Sequence, residues 1–398
     1  MRVDTSSLRQ MRSLIIRWHM PSSPTSVQPH GVPAEYFTDS YVFNWRNQTF
    51  RADLILILPI AVCLGTGLWL HHPAAGMIAA SGAMTVGFGA KQSIDESRLL
   101  PMLFVTLGMA FAAFLGVVIG HTNFFLVAMA ALRGFGYGML TTREAGYSWV
   151  GQQCVITFLV ASAFPASVKA AGDRALLIFA GGALQILSSA ILLRAYGELG
   201  AHLASLARYI REEEAALHTA VLETAQSVKQ RKILNSALPY SLLLAVTLGV
   251  TTEIYRQLQF PSGYWIPMTA LLVLKPGVTD TVNRAVARLL GTLAGAILVS
   301  FCIAHLNPSP VVLASFTLLF AWLSYGTLNV NYALFSVFIT GYIVFLLSLA
   351  NVPGPVIAQR RALCTALGGS IALIVRLVVI SRRLSLWKRA AASVHQRV

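Results

Sequence analysis

Residues 99–119 read LLPMLFVTLGMAFAAFLGVVI, a run without a single charged side chain. An α-helix needs about 20 apolar residues to cross the hydrocarbon core of a bilayer, so this run has the length of one membrane span. Further apolar blocks of about 17–22 residues occur along the chain, and the alternating strands of a transmembrane β-barrel are not present in it. The sequence therefore predicts an all-α polytopic membrane protein.

The composition of the whole chain supports this class. Of its 398 residues, 56% are hydrophobic and 11% are charged, whereas a soluble domain carries about 25% charged residues. A soluble globular protein, a disordered chain and a small secreted module are excluded. The net charge of +15 would suggest nucleic acid in a soluble protein. Basic cytoplasmic loops explain it more simply here, so a lipid bilayer and not nucleic acid is the expected partner.

The apolar blocks predict about 12 transmembrane helices in two parallel copies of six. Pro73-Ala-Ala-Gly-Met77 corresponds in order to Pro261-Ser-Gly-Tyr-Trp265, and the GxxxG pair Gly116/Gly120 corresponds to Gly291/Gly295. Because six is an even number, both copies share one orientation. The second and eighth helices are short, and we expect broken or tilted helices there.

The predicted domains follow from these two copies and from the polar stretches around them. The apolar residues of the central polar stretch recur at helical spacing, which predicts an amphipathic cytoplasmic helix. In chain order the domains are a cytoplasmic N-terminal tail, a first six-helix repeat, a cytoplasmic helical linker, a second six-helix repeat and a basic cytoplasmic tail: 1–50, 51–195, 196–238, 239–381 and 382–398.

The basic residues predict the orientation of these helices. With both tails and the central linker inside, 25 of the 30 lysines and arginines lie on the inner side. Cytoplasmic loops carry the excess of basic residues, so both termini are expected in the cytoplasm and the chain in the inner (plasma) membrane. The five expected on the outer side are Lys169, Arg174, Arg256, Arg360 and Arg361.

Residues 264–295, YWIPMTALLVLKPGVTDTVNRAVARLLGTLAG, contain the richest candidate site. Arg284 and Arg288 are four residues apart and share one helix face. They lie in the first turns of a predicted helix, near the positive end of its dipole, and Lys275 ends the preceding helix. Three cations and a helix N-terminus near one point would bind an organic anion.

Two neighbouring residues would complete this anion site. A simpler interpretation, in which the basic residues only reflect membrane topology, remains open. Trp265 and Thr269, one helical turn apart, would add an aromatic wall and a hydroxyl. Topology alone also places basic residues at the inner end of a helix, and Asp280 is a ready partner for Arg284.

Enzyme chemistry has little support in the sequence. It contains no HExxH, GxSxG or P-loop motif, and no predicted span contains a pair of carboxylates. The four cysteines stand singly in different apolar segments, without metal-ligand spacing. We expect no catalytic residues, no metal and no cofactor.

The candidate segment resembles the fusaric acid resistance family, also called the aromatic acid exporter family. The resemblance rests on Trp265, Thr269, Lys275-Pro276, Asn283-Arg284 and the run from Arg288 to Gly295. It implies an inner-membrane protein that exports aromatic carboxylates and related organic anions together with a periplasmic membrane-fusion protein. The plant aluminium-activated malate channels are more distantly similar, with one six-span unit.

Several functions stay open at this point. The leading hypothesis is an efflux transporter for aromatic or other small organic acids, with Arg284, Arg288, Lys275, Trp265 and Thr269 as substrate-binding residues. The alternatives are an organic or inorganic anion channel of the malate-channel type and a non-transport membrane scaffold or envelope-assembly protein. A homo-oligomer is a further expectation. A major-facilitator transporter is disfavoured because 90–98 lack that class's glycine-rich basic loop.

Overall fold

The computed structural model describes residues 36–120, 123–195, 197–220, 227–260, 262–306, 308–350 and 352–395. These ranges form α-helices, a few 3₁₀ turns and one isolated bridge between Ile94 and Ser97, and they contain no β-strand. The predicted all-α class is therefore confirmed for the part of the chain that is described. Most of the N-terminal tail, residues 1–35, lies outside the described ranges.

Fifteen α-helices follow one another in these ranges. In chain order they are α1 (Thr38–Tyr41), α2 (Phe50–Asp53), α3 (Leu58–Trp69), α4 (Pro73–Gly89), α5 (Leu99–Ile119), α6 (Asn123–Leu140), α7 (Ala145–Ser162), α8 (Val168–Ala195), α9 (Leu199–Ala220), α10 (Ser227–Leu258), α11 (Trp265–Val273), α12 (Val278–Leu306), α13 (Pro310–Thr327), α14 (Tyr332–Ser348) and α15 (Gly354–His395).

Six of the described helices are long and apolar enough to cross a membrane. They contain the spans Leu99–Ile119, Val168–Arg194, Ala237–Leu258, Val278–Leu306, Pro310–Thr327 and Gly354–Val379. The pair Trp45–Asp53 and Ile55–Trp69 would make a seventh span, bent by 56°. Helices α6 and α14 are apolar but shorter, and α11 has only nine residues. The structure thus supports a multi-pass membrane protein, with fewer full-length spans than the twelve expected.

The helices pack in the same order in the two halves of the chain. In the first half, α5 packs on α7 and α8, and α4 packs on α3 and α8. In the second half, α12 packs on α14 and α15, and α11 packs on α10 and α15. The halves are joined mainly by α6 against α10 and by α13 against α2 and α3. The α11–α15 group contains the candidate site.

Glycines allow the closest of these contacts. A Cβ added at Gly295 would lie 2.6 Å from the carbonyl oxygen of Val337, and one at Gly291 would overlap that of Ala333. Both carbonyls belong to α14. In the first half, a Cβ at Gly116 would lie 2.6 Å from the Phe158 carbonyl of α7. The GxxxG spacing therefore marks close helix crossings, as the sequence predicts.

Three predicted domain boundaries fall inside helices, and the first of them, at 50/51, lies within the short helix α2. Helix α10 runs from Ser227 through Pro239 to Leu258, and α15 runs past residue 381 to His395. A change from polar to apolar side chains does not interrupt the i→i−4 hydrogen bonds of the backbone. The polar linker and the membrane helix that follows it therefore share one helix.

We predict that Gly295→Ala lowers the free energy of unfolding by about 1–3 kcal/mol because its methyl group overpacks the α12–α14 crossing. The matched control is Gly369→Ala in α15, where an added Cβ meets no atom within 4 Å. There the lower conformational entropy of alanine should stabilise the helix by about 0.5–1 kcal/mol. Thermal unfolding in detergent tests both variants, and equal shifts of the melting temperature would refute the crossing.

Candidate anion-binding site

The five predicted site residues lie in two places along the α11–α12 region. Lys275 and Arg284 line an open cavity of about 310 Å³ near the start of α12. Arg288 and Trp265 lie in the interior of the bundle, 3% and 5% exposed. The cavity at the first place, here called the inner cavity, is lined by Thr38, Asp39, Lys275, Pro276, Asp280, Asn283 and Arg284.

Lys275 lies in the turn between α11 and α12. Its backbone N–H donates a hydrogen bond of 3.1 Å to Thr281 Oγ1, which holds the turn against the first turn of α12. Burial and, to a smaller extent, the positive charge of Arg284 lower the pKa of Lys275 to about 8, against the opposing effect of Asp39 and Asp280. Lys275 therefore carries a positive charge at pH 7 and loses it as the pH rises through about 8.

Arg284 is already partnered in the inner cavity. Its Nη1 lies 3.4 Å from Asp39 Oδ2, and its guanidinium carbon lies 3.8 Å from the ring centroid of Tyr332. The sequence made Asp280 the ready partner, but the ion pair is with Asp39, which α1 brings from the N-terminal tail. An internal carboxylate therefore sits where an anionic ligand of Arg284 would bind.

Side-chain amides fix α1 in that position. The backbone N–H of Phe37 donates a 2.5 Å hydrogen bond to Asn283 Oδ1, and Asn283 Nδ2 donates one of 3.0 Å to Thr38 Oγ1. A few residues later, Asn331 Nδ2 donates a 2.9 Å hydrogen bond to the Val42 carbonyl. These contacts hold the described part of the N-terminal tail on α12 and on the start of α14.

Arg288 lies deeper than the sequence analysis placed it. Helix α12 begins at Val278, so Arg288 is about 15 Å along the helix axis from that end. A helix dipole acts within the first turn and does not reach this depth. The Nε of Arg288 has no hydrogen-bond partner. Arg288 is therefore a candidate for anion binding because it is buried and its Nε donor is unpartnered, and not because it lies at a helix N-terminus.

Trp265 contacts Arg361, a residue that the sequence analysis did not include in the site. The guanidinium carbon of Arg361 lies 4.1 Å from the ring centroid of Trp265. We expected Arg361 on the outer side next to Arg360, but it is only 1% exposed, whereas Arg360 is partly exposed. The sequence feature that could have indicated the burial of Arg361 is the composition of its helix face. This face carries small residues at i−3, i+3, i+4 and i+7: Ala358, Cys364, Thr365 and Gly368.

Thr269 has a packing contact in the structure. It is 1% exposed, and a Cβ added at Gly368 would lie 2.9 Å from its Cβ. The contact joins α11 to α15 and so helps to place Trp265 beneath Arg361.

The described residues contain no group of three or more His, Cys, Asp or Glu side chains that could hold a metal ion. Cys63, Cys154, Cys302 and Cys364 are free thiols. The chemistry that the described residues offer at these two places is the binding of negative charge.

Comparison with known proteins confirms the resemblance that the 264–295 motif suggested. Residues 244–375 match the sequence model of a family described as fusaric acid resistance protein-like. An uncharacterized protein of Synechocystis sp. is 32% identical over 142 residues, which cover 35% of this chain and 19% of that protein. Uncharacterized protein ORF2 of Neisseria gonorrhoeae is 30% identical over 165 residues, which cover 40% and 38%. The matched part thus spans less than two fifths of either relative. No solved structure matches the chain.

We predict that Asp39→Asn strengthens benzoate binding about twofold to fivefold. Removing a partly exposed ion pair releases up to about 1 kcal/mol of interaction to the competing ligand. Isothermal titration calorimetry on the purified chain measures the change. Asp280→Asn is the matched control, because it removes the same charge from the same cavity without breaking the Arg284 ion pair. Equal gains in both variants would show a general field effect and not competition by Asp39.

Proposed function

We propose that this protein exports small organic anions, aromatic carboxylates in particular, across the inner membrane. The matched family indicates membrane transport or efflux, and a transporter more than an enzyme. The observation that carries the finer proposal is the series of cations along α11 and α12, from Lys275 and Arg284 in an open cavity to the buried Arg288. Such a series provides successive binding positions for negative charge.

The surroundings of these cations support binding in preference to a purely topological role. Arg288 is buried, and its Nε makes no hydrogen bond. An arginine in a membrane bundle is expensive to bury without a partner, and such residues usually line a substrate or ion pathway. In this proposal Lys275, Arg284 and Arg288 bind the carboxylate, Trp265 supplies an aromatic surface, and Thr269 positions α11.

An anion channel is the second candidate function. The basic residues occupy two successive places, the inner cavity and the deeper position of Arg288. This arrangement favours a channel, since conduction needs several moderate binding sites instead of one tight site. Reconstitution into liposomes separates the two functions. A transporter shows saturation by its substrate and coupling to a gradient, whereas a channel gives single-channel currents.

We further propose a duplicated architecture of two six-helix repeats, α3–α8 and α10–α15. The shared order of helix contacts and the glycine crossings in both halves support this arrangement. A periplasmic membrane-fusion protein and self-association into a homo-oligomer belong to the same proposal, because efflux across two membranes needs a partner in the periplasm.

The central experiment is benzoate binding to the purified chain with Arg288 changed. Both Arg288→Gln and Arg288→Lys should weaken binding, since lysine keeps the charge but lacks the planar fork that fits a carboxylate. Loss of a charge-assisted hydrogen bond costs about 1.5–3 kcal/mol, which is roughly a tenfold to hundredfold loss of affinity.

Arg143→Gln is the control for this experiment, because it removes the same charge from an exposed arginine between α6 and α7. Flux of benzoate into proteoliposomes, corrected for protein-free vesicles, should fall in parallel with affinity. Unchanged affinity in a monodisperse Arg288→Gln variant would remove Arg288 from the site.

The proposed orientation, with both termini in the cytoplasm, is tested by cysteine labelling in intact cells. The four native cysteines are first replaced by alanine. A cysteine at Ser93, exposed between α4 and α5, should resist a membrane-impermeant thiol reagent, whereas one at Ser309, exposed before α13, should react. The reverse pattern would invert the topology and make the proposed direction of transport untenable.

A further inference from the structure

Arg361 is the largest of the fully buried side chains in the described part of the protein. One face of its guanidinium group stacks on Trp265, at 4.1 Å from the ring centroid. Its Nε donates a 3.3 Å hydrogen bond to Thr340 Oγ1. Its two terminal nitrogens, Nη1 and Nη2, have no hydrogen-bond partner. One face of the guanidinium group and its Nε are therefore occupied, and the edge formed by Nη1 and Nη2 is free.

Among the described residues, no carboxylate forms an ion pair with Arg361. The described residues form three ion pairs, Lys91–Asp53, Arg256–Glu253 and Arg284–Asp39, and neither Arg361 nor Arg288 is among them. Arg288 is buried in α12, which packs on the α15 helix of Arg361, and its positive charge acts unfavourably on that of Arg361. Two like charges buried without a counter-ion in a membrane bundle are strongly unfavourable unless an anion joins them.

The free edge determines which anion fits. Nη1 and Nη2 point in the plane of the guanidinium group, while stacking on Trp265 occupies its face. Two parallel N–H donors in one plane match the two oxygens of a carboxylate, which can accept both bonds at once. A spherical anion such as chloride makes no use of this geometry.

We propose that Arg361 and Arg288 form a second carboxylate-binding position inside the bundle, between α11, α12, α14 and α15. It is separate from the inner cavity, whose lining includes neither arginine. The inference rests on the proposed function in one respect: a transported anion would pass from Arg284 to this position. Binding itself requires only the buried arginine pair.

The test measures benzoate binding to the full purified chain, by calorimetry and by the ligand-induced rise of the melting temperature. Arg361→Lys keeps the charge and loses the fork, and should weaken binding at least about tenfold. Arg360→Gln is the matched control: it removes a positive charge at the adjacent, partly exposed position and should bind like the unchanged protein. Benzamide, the neutral analogue of benzoate, should not bind.

Arg361→Met keeps the experiment decisive if polar variants fold poorly. Replacing a buried unpaired charge by an apolar side chain of similar length should raise the melting temperature without ligand. The same variant should lose the further rise that benzoate gives the unchanged protein. Chloride should displace benzoate only weakly.

The outcomes separate this inference from the proposed function. If both Arg361 variants bind benzoate as tightly as Arg360→Gln does, or if chloride competes as well as benzoate, the second position is refuted while transport through Arg288 stands. If Arg361 governs binding but proteoliposomes show no benzoate flux, transport is refuted and the second position stands. Absence of benzoate binding in the unchanged chain refutes the inference.

Discussion

The charge of a guanidinium group inside a helical bundle in lipid has to be balanced, and most of this structure follows from where that balance is found. Water cannot solvate the group there, and a lone buried charge is among the most destabilising features that a protein can contain. Arg284 lies at the open inner cavity, where it is partly exposed and pairs with Asp39 from the N-terminal tail. Arg288 and Arg361 form no ion pair with any acidic residue in the described part of the chain. In the proposed function, the packing of α11–α15 that holds them forms the wall of a binding pathway.

The short helix α11 makes that wall. Its nine residues extend about 14 Å, less than half of the roughly 30 Å hydrocarbon core. The chain turns back at Lys275 within the bundle, so that Lys275 and the start of α12 lie side by side. Gly291 and Gly295 then bring α12 against α14 closely enough for Arg288 to be enclosed.

The sequence was sufficient for features that depend on local composition. Uncharged runs such as 99–119 predicted helices, the glycine spacing predicted the α12–α14 crossing, and the motif from Trp265 to Gly295 indicated the family. Features that depend on long-range packing were not accessible. The Asp39–Arg284 ion pair joins residues far apart in the chain, and nothing near Asp39 indicates its partner. Arg361 was not recognised as a candidate site residue because two adjacent arginines at a helix start look solvent-exposed, and only tertiary packing decides that one of them is buried.

The lysine that follows the second helix has different hydrogen-bond partners in the two halves of the chain. Lys91 follows α4 as Lys275 follows α11, but Lys91 is fully partnered: its Nζ lies 2.8 Å from Asp53 Oδ2 and donates to Thr49 Oγ1 and the Tyr325 carbonyl. A cation with all three donors occupied by protein oxygens has no capacity for a ligand. Lys275 instead borders an open cavity, and the arginines beyond it keep free donors. The proposed anion path therefore lies in the second half, and the first half contacts that half mainly through α6 against α10 and through α2 and α3 against α13.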